Sequence, residues 1–305
     1  MPQIATYVFF DLETTGLPHQ ERNRTKVIEL SFVATSTRDI QKTSFGDIPP
    51  VSKLTFVFNP QRSIHPKVSE LTGLSNDLLR HAPTFQQKIN SLVTFLEEQQ
   101  KPVCLVAHNG NIFDYKLLLA EFEDAGMSLP YDLLCVDSLI GFRNILKGTS
   151  IDYNTLKTST VQSINDIMTD DEDEWSDLNV SLEEWQEIDE ICLSLSDISC
   201  EDLSDTSVSS DKKKPKSKPS NDNLRKKKTE AIKRVMDKKP TVAKECYKLS
   251  VLYKRLLNRE ETNAHRAEAD CFMLLYCVVA LKNDFLPWAE NSCKTLTEIK
   301  PLQRY

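Results

Sequence analysis

The sequence TYVFFDLETTG occupies residues 6–16 and decides the fold class, because it joins a buried strand to two acidic side chains. Tyr7 to Phe10 is an apolar run of aromatic and β-branched residues, which is typical of an interior strand. Asp11 and Glu13 follow where we expect this strand to end, and their spacing of two puts both side chains on one side. Two like charges held together favour a bound cation, although a D-x-E pair alone is more often a solvated strand terminus.

Segments with strand-like and helix-like patterns alternate downstream of this stretch. Apolar runs typical of strands are Val27 to Thr35, Leu54 to Phe58, Val103 to Ala107 and Leu133 to Val136. Apolar residues at helical spacing occur in Pro83 to Glu98, Phe113 to Phe122, Tyr247 to Leu257 and Ala267 to Leu281. Strands that alternate with helices predict an α/β domain with a mixed sheet.

Residues 149–242 interrupt this pattern with a composition unlike the rest of the chain. They hold an acidic stretch at 170–174, a stretch rich in Ser and Asp, and basic runs at 212–218 and 225–228. Such a composition cannot bury enough apolar surface to offset the entropy of ordering, so we expect most of this insert to be disordered. Residues 1–148 and 243–305 are then expected to form one domain around it.

The net charge of −7 is unevenly distributed along the chain. Residues 169–228 contain 17 of the 45 acidic residues and nine of the 38 basic residues, which leaves 28 acidic and 29 basic residues elsewhere. The remainder is therefore nearly neutral and compatible with phosphate binding. The basic runs are as typical of a solvated linker as of a nuclear import signal.

Cysteine usage and the apolar runs indicate the compartment. None of the eight cysteines forms a C-x-x-C pair, and the N-terminus lacks the features of a secretion signal. The longest apolar run, Cys271 to Leu281, is too short to cross a bilayer. We expect an intracellular protein with reduced thiols, in the nucleus, the cytoplasm or both, without a membrane partner.

Two later segments carry further acidic residues and a histidine. Asp114 falls in the first turn of a predicted helix, where the helix dipole alone would favour it. Asp270 begins an apolar helix, and a carboxylate beside core residues is costly unless it binds a metal or accepts hydrogen bonds. His265 lies five residues before Asp270 and by itself is typical of an ordinary surface histidine.

Taken together, the four carboxylates Asp11, Glu13, Asp114 and Asp270 indicate a site for divalent cations, which no one of them indicates alone. Hard oxygen ligands favour Mg²⁺ or Mn²⁺ over zinc. Two such ions can activate a water, hold a phosphate and stabilise the leaving oxygen, and His265 could take the proton of the water.

The blocks FFDLETTGLP, LVAHNGNIFDYKLLLAEF and HRAEAD, in this order, resemble the three motifs of the DEDDh (DnaQ-like) 3′-to-5′ exonucleases, and most closely those of the TREX type. The resemblance implies a ribonuclease-H-like fold, for which we expect five strands in the mixed sheet. It implies that Asp11, Glu13 and the general base His265 are catalytic. It also implies two Mg²⁺ ions bound by the four carboxylates, with Mn²⁺ possible, and a substrate of DNA 3′ ends or single-stranded DNA.

The same resemblance implies a set of residues that bind substrate. Leu17 and Pro18 resemble a wedge beside the terminal base pair, Thr72 and Leu74 belong to a segment that contacts the 3′-terminal nucleotide, and Phe113 precedes the second-motif aspartate. Thr14 and Asn109 complete the expected set. Ile112 departs from the pattern, since a basic residue is common there, which puts one backbone contact in doubt.

Members of this branch form a homodimer through an edge strand, and Leu54 to Phe58 is the candidate for that edge. The sequence leaves two alternatives open. The first is a 3′-to-5′ exoribonuclease of the same superfamily, because the metal site does not distinguish the two sugars. The second is a catalytically silent nucleic-acid-binding scaffold, whose signature would be the loss of a ligand or of the histidine, and neither is lost.

Overall fold

A computed structural model of the chain describes residues 3–162, 246–260 and 265–304, and a mixed sheet lies at the centre of this described part. Its six strands are β1 (Thr6–Thr14), β2 (Val27–Ser36), β3 (Ser52–Val57), β4 (Val103–Ala107), β5 (Leu134–Asp137) and β6 (Lys294–Thr295). They lie in the order β3-β2-β1-β4-β5-β6. Strand β1 pairs antiparallel with β2 and parallel with β4, while β3 and β6 close the two edges in antiparallel pairing.

This arrangement confirms the predicted α/β class and the ribonuclease-H-like mixed sheet, and it corrects the expected number of strands from five to six. The additional strand, β6, has two residues, Lys294 and Thr295, which pair with Cys135 and Leu134. Two polar residues carry no periodicity, so no pattern in the sequence indicates this strand.

The central strand β1 is longer than the apolar run that predicts it. It continues through both acidic residues to Thr14, because β2 pairs with it along the whole length, including Glu13 opposite Glu29. The register shifts between Glu13 and Thr14. Asp11 and Glu13 therefore lie within a paired strand rather than beyond its end.

Ten α-helices and one 3₁₀ helix belong to the described residues. They are α1 (Thr37–Lys42), α2 (Pro66–Thr72), α3 (Asn76–Leu79), α4 (Phe85–Glu97), α5 (Asp114–Asp124), α6 (Ser138–Leu146), α7 (Tyr153–Gln162), α8 (Leu249–Leu257), α9 (Ala267–Ala280), α10 (Lys282–Ser292) and the 3₁₀ helix Leu296–Glu298. Helix α7 falls inside the range 149–242 that was assigned to the insert, so regular structure extends past residue 148.

The sheet separates two hydrophobic cores, as strand alternation requires. Tyr7 and Phe9 of β1 face one core, which includes residues of α8, α9 and α10. Val8, Phe10 and Leu12 face the other, which includes residues of α4 and α5. Asp11 and Glu13 continue the odd-numbered face of β1, so they lie on the side of the sheet where α9 packs.

The segments on either side of the insert belong to one compact unit, Met1–Asp166 with Lys244–Tyr305. The guanidinium of Arg255 in α8 donates to the carbonyl oxygens of Ile151 (2.9 Å) and Thr149 (3.1 Å). Thr149 and Ile151 belong to the first residues of the range assigned to the insert, so these bonds attach its beginning to the chain that follows it. The predicted disorder at 163–242, with its acidic and basic runs, concerns residues outside the described part. Among the described helices, none has the length and apolar character needed to span a bilayer.

Candidate active site

Three carboxylates from two elements meet at the end of the sheet. Asp11 and Glu13 come from β1 and Asp270 from the first turn of α9, and one oxygen of each lies within 4.8 Å of the others. All three residues are half-buried. The packing of α9 against β1 and β2 brings Asp270 to the face of β1 that carries the other two. The sequence-based grouping of these three residues is thus matched by their positions.

Asp114 lies near this cluster, close enough for its charge to act on Asp11 and Asp270. It is the first residue of α5 and is 4% exposed. Burial, followed by the negative charges of Asp137 and Asp270, raises the pKa of Asp114 to about 8, although backbone hydrogen bonds partly oppose this. The charge of Asp114 is also the strongest electrostatic influence on Asp11.

Burial and mutual repulsion make this site a poor place for free carboxylates. Burial raises the pKa of Asp11 well above its ordinary value, and the charges of Asp114, Asp270 and Glu13 raise it further. Burial, then the charges of Asp270 and Glu29, raise the pKa of Glu13 to about 8. Such a cluster is stabilised by protons or by a cation. Because all the donors are hard carboxylate oxygens, the residues present fit Mg²⁺ or Mn²⁺.

A fifth carboxylate, Glu29, lies beside the cluster and has a different role. Its side chain is 1% exposed and accepts hydrogen bonds from Nε and Nη2 of Arg266 at 2.6–3.1 Å. It also accepts a 3.0 Å bond from the backbone N–H of Ala267, the first residue of α9. This ion pair satisfies a buried charge that would otherwise be costly. Sequence analysis missed Glu29, because its relation to Glu13 depends on the register of β1 and β2.

His265 precedes Arg266 at the start of α9. It is exposed, and its backbone adopts the left-handed conformation, with φ of 63°. A residue with a side chain rarely adopts this conformation unless its surroundings impose it. The sequence predicts that this histidine is the general base. In the described structure the group of close side chains contains Asp11, Glu13 and Asp270 without His265, which is exposed at the start of the segment that leads to Asp270.

The loop between β4 and α5 is held by Asp137, a second carboxylate that sequence analysis missed. Asp137 caps α6 through Leu139 N, and it also accepts 3.0 Å bonds from the backbone N–H groups of Asn109 and Asn111. Asn109 itself has φ of 66°. An aspartate at the end of a predicted strand is a signal for a helix cap, and here the cap also fixes the loop that leads to Asp114.

His108 in the same loop links it to the segment that follows the insert. Its Nε2 lies 2.9 Å from the carbonyl oxygen of Tyr247, and its Nδ1 lies 3.0 Å from Oγ of Ser138. Burial lowers the pKa of His108 to about 4, so the imidazole is neutral at physiological pH. This half-buried histidine is a structural contact, and it lies at the opposite end of its loop from Asp114.

A cavity of about 640 Å³ lies next to the start of α9. Its lining includes Thr72, Leu71, Gly73, Arg266 and Glu29. Thr72, expected to bind substrate, therefore reaches this cavity, although its hydroxyl donates to Val68 O at 2.8 Å.

Leu74, also expected to bind substrate, lies differently from that expectation. It is 2% exposed and packs with Ile28, Ile64 and Leu79 in a small core cluster. Leu71, at 55% exposure, is the apolar side chain that this segment presents at the cavity. The left-handed Gly73 ends α2 between them and turns Leu74 inward.

The remaining residues expected to bind substrate lie in the two loops that leave β1 and β4. Leu17 and Pro18 are half-buried, and their carbonyl oxygens accept backbone bonds within the turn 17–24. Thr14 is buried and donates to Gly16 O. Phe113 is half-buried at the N-cap position of α5, directly before Asp114.

Comparisons with known proteins agree with this arrangement. Residues 8–157 match the family model RNase_T, described as Exonuclease. Over 153 residues the chain is 37% identical to Three prime repair exonuclease 2 of Mus musculus, which covers 47% of this chain and 64% of that protein. Over 158 residues it is 36% identical to Three-prime repair exonuclease 1 of Homo sapiens, covering 48% of this chain and 49% of that protein. The chain thus spans about half to two thirds of the curated relatives it matches.

Among solved structures, one of exonuclease I superposes with a TM-score of 0.52 at 14% sequence identity and covers 94% of this chain and 43% of that one. A complex of Escherichia coli exonuclease I with single-stranded DNA gives a TM-score of 0.50 at 15% identity, covering 95% and 43%. At such low identity the likeness shows the fold alone.

Proposed function

Since residues 8–157 match the exonuclease family model RNase_T, we propose that this protein is a metal-dependent 3′-to-5′ DNA exonuclease that releases nucleoside 5′-monophosphates from DNA 3′ ends. The observation that carries the proposal is the meeting of Asp11, Glu13 and Asp270 within 4.8 Å, with Asp114 beside them. Relatives named three prime repair exonucleases, at 36–38% identity, support exonuclease action at 3′ ends and a role in repair.

The four carboxylates would hold two divalent cations, Mg²⁺ or Mn²⁺. When bound, such ions polarise the phosphate, lower the pKa of a water and neutralise the leaving oxygen. The chain's own contribution is the fixed position of the ligands. Asp11 and Glu13 are held by the pairing of β1 with β2, and Asp270 by the packing of α9 on those strands. Buried ligands on regular elements keep their geometry without a cost at the moment of reaction.

His265 is the proposed general base. Water attacks the phosphorus between the last two nucleotides, its proton passes to the imidazole, and the P–O3′ bond breaks. The products are a nucleoside 5′-monophosphate and a DNA strand shorter by one nucleotide with a free 3′ hydroxyl. Histidine suits this step because its ordinary titration range is close to neutral pH.

The terminal nucleotide would lie in the cavity beside α9, close to Thr72 and the exposed Leu71. Leu17, Pro18, Asn109, Phe113 and Thr14 are proposed to line the path of the strand from the flanking loops. A base stacked on apolar side chains is accepted with little regard to sequence. A single-stranded 3′ end is the proposed substrate; the exonuclease I complex holds single-stranded DNA, but that protein shares only the fold with this chain.

A homodimer through β3 is part of the proposal. Among the described strands, β3 pairs with β2 alone and forms one edge of the sheet. Leu54 and Phe56 are half-buried on this edge. An edge strand with apolar residues favours pairing with a second copy.

The test is the digestion of a 5′-labelled DNA oligonucleotide and its RNA counterpart with Mg²⁺, with Mn²⁺ and with a chelator. We compare the wild type with Asp11→Asn and, as a matched control, Glu123→Gln, which removes an exposed carboxylate outside the site. A ladder of DNA products shortened from the 3′ end, lost with the chelator and in Asp11→Asn alone, supports the proposal. Cleavage of RNA alone would favour an exoribonuclease, and binding of DNA without any cleavage would favour a silent scaffold.

A further inference from the structure

The start of α9 is held by an ion pair between the buried Glu29 and the exposed Arg266, neither of which is a proposed metal ligand. The N-cap residue Arg266 makes no side-chain capping bond, so the first N–H groups of the helix need another acceptor. Glu29 of β2 supplies it, because its Oε2 accepts from Ala267 N at 3.0 Å. A carboxylate at this place is also favoured by the helix dipole.

The side chain of Arg266 binds the same carboxylate of Glu29. Its Nε lies 3.0 and 3.1 Å from the two oxygens of Glu29, and its Nη2 lies 2.6 Å from Oε1. The planar guanidinium thus binds the carboxylate through two nitrogens, a geometry that lysine cannot reproduce. The side chain of Arg266 and the backbone N–H of Ala267 are thus both bonded to the buried carboxylate of Glu29, an arrangement that we call the clamp.

The residue directly before this clamp is His265, in the left-handed conformation with φ of 63°. Such a backbone persists only where its neighbours hold it. Resting on the proposed function, we propose that Glu29 and Arg266 are positioning residues for the general base: by fixing residues 266 and 267 they set the backbone from which the His265 side chain reaches the attacking water.

The same pair could act instead through charge. The positive charge of Arg266 lies near Glu13, and Arg266 also lines the cavity proposed for the terminal nucleotide. The positioning role and the charge effect predict different directions for the change in activity of the two glutamine variants. Arg266→Gln and Glu29→Gln change the local charge in opposite directions, whereas both break the clamp. Positioning therefore requires that both variants lose activity, while a charge effect on the metal ligands requires opposite effects.

The experiment measures kcat, KM and the Mg²⁺ dependence on a DNA oligonucleotide for Arg266→Gln, Arg266→Lys and Glu29→Gln, each also in a His265→Ala background. The matched control is Arg304→Gln. Arg304 binds the buried Glu121 at 2.9 Å, and Glu121 likewise accepts from a backbone N–H, that of Val27. Thermal unfolding of every variant reports the loss of stability separately from the loss of activity.

We expect Arg266→Gln and Glu29→Gln each to lower kcat by about 10- to 100-fold with little change in KM, because small misplacements of catalytic groups have effects of that size. Arg266→Lys should lose nearly as much, and Arg304→Gln should keep wild-type kcat. In the His265→Ala background, neither variant should lower kcat further, since the group they position is absent.

Three results would overturn the inference. They are an equal loss of kcat with and without His265, an effect confined to KM, and opposite effects of the two glutamine variants. If the wild type degrades DNA while Arg266→Gln behaves like Arg304→Gln, the positioning role fails and the proposed function stands. If the wild type itself is inactive on nucleic acid, the proposed function fails, and the positioning role with it.

Discussion

Replacing Asp270 by asparagine should stabilise the metal-free protein at alkaline pH while it abolishes exonuclease activity. The carboxylate oxygens of Asp11, Glu13 and Asp270 lie within 4.8 Å of one another. At an effective dielectric constant of about 20, two unit charges at this distance repel by about 3.5 kcal/mol. Protonation relieves part of this repulsion, so we expect the isosteric amide to add about 1–3 kcal/mol to the free energy of unfolding at pH 8.

The pH dependence follows from the direction of the pKa shifts. Burial and the charge of Asp270 raise the pKa of Glu13 from 4.5 to about 8. The folded wild type therefore holds protons that the unfolded chain has released, and the associated stability, complete below about pH 4.5, is lost as the pH rises towards 8. The advantage of Asp270→Asn should consequently be small near pH 5 and grow up to pH 8.

The assay is thermal unfolding with a chelator and with Mg²⁺, at pH 5 and pH 8. For a domain of this size, 1 kcal/mol corresponds to about 2–4 °C in Tm. With Mg²⁺ the wild type should have a higher Tm than Asp270→Asn, because Mg²⁺ stabilises the intact cluster by mass action and binds the variant weakly. Glu123→Gln should follow the wild type throughout. A metal-free variant less stable than the wild type at pH 8, or equal stabilisation of both by Mg²⁺, would refute the reasoning.

Three further predictions concern the surroundings of the site. Asp137→Ala removes the acceptor of three backbone N–H groups, so we expect about 2–4 kcal/mol lower stability in urea unfolding and faster hydrogen exchange at Asn109 and Asn111; unchanged exchange there would contradict this role. Leu54→Lys places a charge on the edge strand and should convert the dimer to a monomer in sedimentation experiments, whereas a monomeric wild type would disprove the interface. Phe285→Ala empties a fully buried position on α10, a helix that carries none of the four site carboxylates, so it should lower stability by about 3–5 kcal/mol and leave kcat of the folded fraction intact.

Much of the central fold was predictable because its signals are local in the sequence. The apolar run at Tyr7 predicts β1, and the apolar stripe from Ala267 predicts α9. Strand alternation then puts Asp11 and Glu13 on one face, which the structure confirms by placing α9 on that face. The meeting of Asp270 with this pair needs only the packing of one helix on one strand.

The parts that escaped prediction depend on pairing between distant segments. Glu29 gains its role from the register that puts it opposite Glu13, and Asp137 from the loop that returns to it. Neither Glu29 nor Asp137 belongs to a sequence motif whose spacing would predict its role. Leu74 was expected to contact a base from the resemblance of its segment, and only the turn at Gly73 decides that this side chain is buried. The two residues of β6 are paired by tertiary context alone.

The contacts of Arg255 with Thr149 and Ile151, and of His108 with Tyr247, close the domain before residue 163 and after residue 245. These bonds hold the two described segments close together, so the ends of any chain inserted between them are already near one another. Because each doubling of a loop with fixed ends costs only about 0.6 kcal/mol in closure entropy, a change of length between these segments should have a small effect on the stability of the described domain. A tag or a reporter inserted between them should therefore leave the four site carboxylates in place.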